Sequence, residues 1–182
     1  MTLFAAGVTK RPSAGATLMT FGLLSWMGAC QTLVRSNDPT AASLRTDSAE
    51  VGVRFNGKAY SAKIGFVYVN NTDKPVSKAG CGGPTDPELE KNVGGRWVPA
   101  YEPVYLLCLT IPDFTVGSGE SFNGALDFVA FQPGNNTYPT LMVDSIDGTY
   151  RLRWDFSEGA VAHAKGARKV AATSNEFRMV LR

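Results

Sequence analysis

Apolar and polar residues alternate with a period of two along much of this chain. The cleanest case is Tyr150-Arg151-Leu152-Arg153-Trp154-Asp155-Phe156, which predicts a strand with one buried face. Val51, Val53 and Phe55 alternate with Gly52, Arg54 and Asn56 in the same way, and Asn56-Gly57 is a hairpin signal. From Ala59 to Asn70, Ile64, Phe66 and Tyr68 share one face while Val67 and Val69 share the other. Apolar residues on both faces predict a central strand. Asn71 to Pro75 breaks the chain with turn residues, and Val76-Ser77 continues as a short strand ending at Gly80-Cys81-Gly82-Gly83-Pro84. Leu89–Val93 and Arg96–Val98 flank Gly94-Gly95 as a second hairpin.

Tyr101–Ile111 is again apolar on both faces, with Pro103 near its start, where a strand tolerates it. Phe122, Leu126, Phe128 and Phe131 mark a long strand, with a bulge expected at Gly124. Leu141–Val143 forms a short strand, and Phe177, Met179 and Leu181 share one face of the last. Eight or so short strands, turns at close intervals and no helical periodicity predict an all-β, antiparallel Greek-key sandwich over residues 51–182. The Ser157–Thr173 stretch, rich in Ala, Gly and Lys, reads as a mobile loop.

The N-terminal part has a different pattern. Met1–Arg11 carries no acid and ends in Lys10-Arg11, followed by an uncharged, mostly apolar run from Ala14 to Ala29. That run is shorter than the roughly 20 residues a spanning helix needs. A charged start, a short apolar middle and a small-residue end describe a secretory signal over residues 1–29. Gln31–Glu50 is polar, lacks periodicity and reads with Cys30 as a flexible tether over residues 30–50; a short helix over Thr40–Arg45 is the alternative.

Met27-Gly28-Ala29-Cys30 resembles the lipobox of bacterial lipoproteins, with Met27 standing where Leu is usual. The resemblance implies cleavage before Cys30, diacylglyceryl attachment to its sulfur and acylation of the new amine. Two or three acyl chains hold stably where one holds marginally. Gln31 follows the cysteine, and the absence of Asp there resembles sorting to the outer membrane. An uncleaved helix or a plain secreted protein are the rivals.

The body resembles an immunoglobulin-like fold common among uncharacterised bacterial lipoproteins. The resembling parts are Phe66–Val76, the Cys81-Gly82-Gly83-Pro84 corner, Gly95-Arg96-Trp97-Val98 and the strand Gly148–Trp154. Tyr150, opening its strand, looks like the tyrosine corner of Greek-key sandwiches. A fainter similarity is to small β-sandwich proteinase inhibitors of bacilli. Such folds host many functions, so the likeness implies architecture alone.

With Cys30 lipidated, Cys81 and Cys108 remain, an even count in an oxidising compartment. A Cys81–Cys108 bridge would close 28 residues, contributing about 3.5 kcal/mol in the chain-entropy model. Two buried free thiols are the rival.

Charge and motifs narrow the chemistry. The formal charge is +2, and both excess positives are Lys10 and Arg11, so the remainder balances 16 bases against 16 acids. A neutral body has no electrostatic footprint for nucleic acid. His163 is the single histidine, in a loop without a neighbouring nucleophile. No G-x-S-x-G, H-E-x-x-H or phosphate-cradling glycine loop occurs. No catalytic residue, metal ligand or cofactor is therefore assigned. Asp144 and Asp147 flank a turn, where they could pair, bind calcium or serve the turn itself. Glu88-Leu89-Glu90-Lys91 reads as a solvated strand face. Trp97, Tyr101 and Tyr105 are the candidate binding surface, with core packing as the rival for Trp97.

These features together point to a non-enzymatic envelope protein, held to the membrane by an N-terminal lipid and offering one domain to an envelope protein partner. The alternative is a periplasmic inhibitor of a protease or other hydrolase, with Gly82–Gly95 or Gln132–Pro139 as the inserting element.

Overall fold

The computed structural model describes residues 43–80, 86–103, 113–133, 137–162 and 165–182. The signal segment, Cys30, Cys81, Tyr105, Cys108 and His163 lie outside them. The described chain is all-β, with no helix among its residues.

Two groups of strands carry the fold. The first centres on β3 (Ala59–Val69), which pairs over its full length with β9 (Ser121–Phe131), from Ala59↔Phe131 to Val69↔Ser121. On the other edge of β3 lie β1 (Ser43–Thr46) and the end of β2 (Glu50–Phe55). β10 (Thr140–Leu141) joins the Phe131 end of β9 and pairs with β7 (Tyr101–Glu102).

The second group centres on β11 (Gly148–Glu158). One edge of β11 takes β12 (Lys169–Thr173) and β13 (Phe177–Leu181). The other takes β4 (Val76–Lys78) and β5 (Glu88–Val93). β8 (Phe114–Val116) pairs with β4, and β6 (Arg96–Pro99) with β5. β2 belongs to both groups: Glu50–Val53 runs parallel to Arg178–Leu181 of β13, and Arg54–Phe55 turns to Tyr60–Ser61 of β3. The strands therefore form one continuous, nearly closed, barrel-like sheet.

The alternation read from the sequence decides what fills the interior. Ile64, Phe66 and Tyr68 from β3 face Leu152, Trp154 and Phe156 from β11, and all six are at most 2% exposed. Phe66 meets the Trp154 ring edge-on at 5.2 Å, and Tyr68 stacks on Phe156 at 4.6 Å. Aromatic pairs of this geometry add about 0.5–1.5 kcal/mol each beyond area burial. The Tyr150 hydroxyl donates to the carbonyl of Ile146, four residues back, at 2.7 Å.

Several local expectations are met and several are corrected. The Asn56-Gly57 hairpin forms, with Gly57 at φ 88° and the Asn56 side chain accepting from the amides of Lys58 and Ala59. The Gly94-Gly95 hairpin also forms, both glycines having positive φ. By contrast, Ser43–Thr46 lies inside the stretch read as tether, yet it is β1. Four residues are too few to display a period, but Leu44 is buried against the core and Asn175 bonds Thr46 through both its oxygen and its nitrogen. The Ser157–Thr173 stretch read as a loop contains β12, whose Val170 and Ala172 are buried. No bulge interrupts β9 at Gly124, because the register against β3 is unbroken. Of the strand expected over Tyr101–Ile111, only Tyr101–Glu102 falls in described strand, and 104–112 lies outside the described residues.

The Tyr68 hydroxyl is buried without a hydrogen-bond partner among the described residues, and burial pushes its pKa up to about 12. Burial also raises Tyr150, helped by Asp147. A raised folded pKa gives stability that is complete below the unfolded value near 10 and is lost as pH climbs towards the folded one. From Tyr68 the loss should reach about 2–3 kcal/mol between pH 10 and pH 12. Burial acts oppositely on Lys78 and Lys91, whose pKa values it lowers, so the Tyr68 part is isolated by comparison with Tyr68→Phe. Urea midpoints measured at intervals from pH 9 to 12 should fall less steeply in that variant. At neutral pH the variant should match or exceed the native stability, since an unpartnered hydroxyl is removed. Parallel alkaline profiles would contradict this reading.

Candidate functional site

The clearest concentration of polar chemistry lies along β5 and its neighbours. Glu90 sits opposite Arg151 of β11, on the outer face, and its carboxylate accepts from Arg151 Nε at 2.6 Å. Arg153 Nη1 stands 4.0 Å from the other oxygen of Glu90 and also bonds Asp155 through Nε at 3.3 Å. The Arg151 guanidinium lies over the Trp97 ring, 4.4 Å from its centroid. Trp97 reaches this face because β6 pairs it with Asn92, two residues along β5 from Glu90.

Glu90 is therefore only 6% exposed, and of the solvated face expected for Glu88–Lys91 only Glu88 is exposed, Leu89, Glu90 and Lys91 being buried. The sequence pattern registers charge, whereas the cover over Glu90 comes from Arg151, 61 positions away. Replacing Glu90 by Gln keeps the shape and removes the charge. That change should cost about 1.5–3 kcal/mol, the range of hydrogen bonds to charged groups. Chemical denaturation checks the value, and a change within about 0.3 kcal/mol would show the pair to be incidental.

Lys91 points to the opposite face. Its ammonium donates to the Ser145 carbonyl at 2.6 Å and to the Ser145 hydroxyl at 2.9 Å, and lies 5.6 Å from the Tyr150 ring centroid. Burial lowers its pKa, while Asp147 and Asp144 pull it up. The Lys91 stem runs so close to Gly148 (φ 152°) that an added Cβ would meet Lys91 Cε at 2.7 Å. Lys91 thus clasps β5 to the corner that precedes β11.

Between the β5–β6 turn and residues 142–145 lies an open groove of about 400 Å3, lined by Lys91, Val93, Val98, Met142, Asp144 and Ser145 among others. The Asp147 carboxylate accepts the Leu181 amide at 2.8 Å, and its charge also acts on Lys91. Among the described residues, no three of His, Cys, Asp and Glu gather closely enough to hold a metal ion.

The residues of the expected binding surface are distributed as follows. Trp97 is half-buried beneath Arg151. Tyr101 packs edge-on against Phe128 at 5.2 Å, on the other strand group. Tyr105, together with the cysteines Cys30, Cys81 and Cys108, lies outside the described residues. Glu88–Val93, within the excursion considered as an inserting loop, is β5 and is paired on both edges.

The chain matches no protein-family model and no curated protein sequence.

Proposed function

We propose that this is a lipid-anchored protein of the bacterial cell envelope whose single immunoglobulin-like β-sandwich serves binding rather than catalysis. The observation that carries the reading is the apolar run that ends in Gly28-Ala29-Cys30 a short way before the fold. The apolar run ends at Gly28-Ala29-Cys30, and twelve residues later, 31–42, the chain enters β1. Twelve residues reach at most about 40–43 Å, so the domain is held near the surface that carries the lipid.

The sandwich reading is supported by two strand groups facing each other across aromatic residues and by β2 contributing to both. The bond from the Tyr150 hydroxyl back to Ile146 has the form of a tyrosine corner. A Cys81–Cys108 bridge is part of the proposal. It is supported by the pairing of β4 with β8 and by the Gly80 amide donating to Asp113 at 3.4 Å, which bring together chain segments flanking the two cysteines.

The test is Cys30→Ser. In the producing bacterium it should shift the protein from the membrane fraction to the soluble fraction while leaving the thermal midpoint of the domain unchanged. Unaltered membrane retention would refute the anchor.

A further inference from the structure

The two ends of the β body differ. At one end β1 begins, with Ser43 opposite Val69. The turn at Asn70–Lys74 belongs to this end, as does the start of β9 at Ser121, and Gly159 donates there to the Pro75 carbonyl. The other end holds the Asn56–Lys58 turn and the start of β11 at Gly148. It also holds the Leu181–Asp147 contact, the β5–β6 turn and the meeting of Phe131 with Thr140.

Six of the seven large apolar side chains that stand exposed among the described residues lie at or next to this second end. They are Phe55, Val93, Val129, Tyr138, Met142 and Leu181, and only Val161 lies at the first end. Tyr138 and Met142 are more than half exposed, and Val93 is 46% exposed. Contiguous apolar patches mark interaction sites, whereas single exposed apolar residues are ordinary; Val93 and Met142 are brought together across one groove. The groove between Val93 and Met142 supplies the concave part of this end; Asp144 stands exposed on its rim, whereas the Lys91 ammonium is buried against Ser145.

We infer that the end far from Ser43 is the docking surface for a partner protein that presents an apolar ridge to the Val93–Met142 groove and a basic side chain to Asp144. This rests on the lipid-anchor reading in one respect, the choice of a protein over the membrane as occupant. β3 has eleven residues and spans about 36 Å. To lay the far end on its own membrane, the tether would have to run back along that length. Its twelve residues reach at most about 40–43 Å, so it would be drawn almost straight, at a large cost in chain entropy. A protein that comes to the far end meets no such cost.

The test places a photo-cross-linking phenylalanine analogue in the full chain, in intact cells, at Met142 or Tyr138, with Val161 and Asp73 as first-end controls. One discrete protein adduct from the far-end positions is expected, with little from the controls. Asp144→Lys or Val93→Glu, at unchanged thermal midpoint, should reduce the Met142 adduct at least about tenfold, since central groove contacts carry most binding energy. Equal yields at both ends, adducts with lipid alone, an adduct of twice the chain mass, or indifference to Asp144→Lys would each overturn the inference. The same cells are fractionated. Soluble protein that still cross-links from its far end would sink the anchor and leave the docking surface standing, whereas membrane-bound protein with even cross-linking would do the reverse.

Discussion

Replacing Asn70 by alanine should lower the unfolding free energy by about 3–5 kcal/mol, among the largest effects available to a polar residue in this fold. Asn70 is fully buried just after β3. Its side-chain nitrogen donates to the carbonyls of Lys74, Val116 and Gly117 at 2.9–3.0 Å. Its side-chain oxygen accepts from both the amide and the hydroxyl of Thr72. Its backbone completes the tie, donating to Glu120 and accepting from Gly119. One side chain thus satisfies the backbone of two turns that meet at the end of the sheet. Truncation leaves several buried groups unpaired, each costing about 1–3 kcal/mol. Asn70→Asp is the sharper comparison, because it keeps the acceptor while setting a carboxylate against three carbonyls. It should be at least as damaging as alanine at neutral pH and recover partly in acid. Urea denaturation decides the matter, and a loss below about 1 kcal/mol would show that water replaces the network.

Gly124→Val should be comparably severe, and Gly124→Ala smaller but clearly destabilising. Gly124 faces inward opposite Phe66. A Cβ there would stand 2.6 Å from Phe66 Cζ and 2.7 Å from Phe122 Cε1. Phe66 is buried and Phe122 is half-buried, so the Phe66 ring in particular has little space to move. Phe66 is already set edge-on to Trp154, and Phe122 packs against Phe114 at 4.7 Å. Alanine in a strand gains up to about 1 kcal/mol over glycine by reducing the freedom of the unfolded chain. Forced overpacking costs about 1–3 kcal/mol, so the clash outweighs that gain. Valine adds two methyl groups in the same place and should lower the near-ultraviolet aromatic signal as well as the thermal midpoint. A stabilised Gly124→Ala variant would contradict this account of the core.

Much of this architecture was legible because strands announce themselves by period two. The faces of β3, β9 and β11 follow directly from Ile64, Phe66 and Tyr68, from Leu126 and Phe128, and from Leu152, Trp154 and Phe156. The hairpins at Asn56-Gly57 and Gly94-Gly95 were readable from turn chemistry. What stayed hidden depends on partners distant in sequence. β1 and β12 are short, and pairing with β3 and β11 rather than any local pattern makes them strands. Gly124 looked like a bulge because a glycine inside a strand signals either a bulge or a close approach, and only the position of Phe66 separates the two. Glu90 and Lys91 looked solvated because their cover comes from Arg151 and Ser145. Of the candidate binding residues, the aromatic character of Trp97 and Tyr101 was plain, but their separation onto two strand groups required the crossing at Ala100, whose amide bonds Leu89 and whose carbonyl bonds Met142. The clustering of exposed apolar residues at the far end has no signal along the chain at all, since Phe55, Val93, Tyr138, Met142 and Leu181 are scattered over more than a hundred positions.

The proposed anchor is tested most directly by the intact mass of the mature protein extracted from bacterial membranes. The account predicts a chain that begins at Cys30 and carries the added mass of a diacylglyceryl group together with an amide-linked acyl chain. A chain that retains Met1, or one that begins at another residue without lipid, would contradict it.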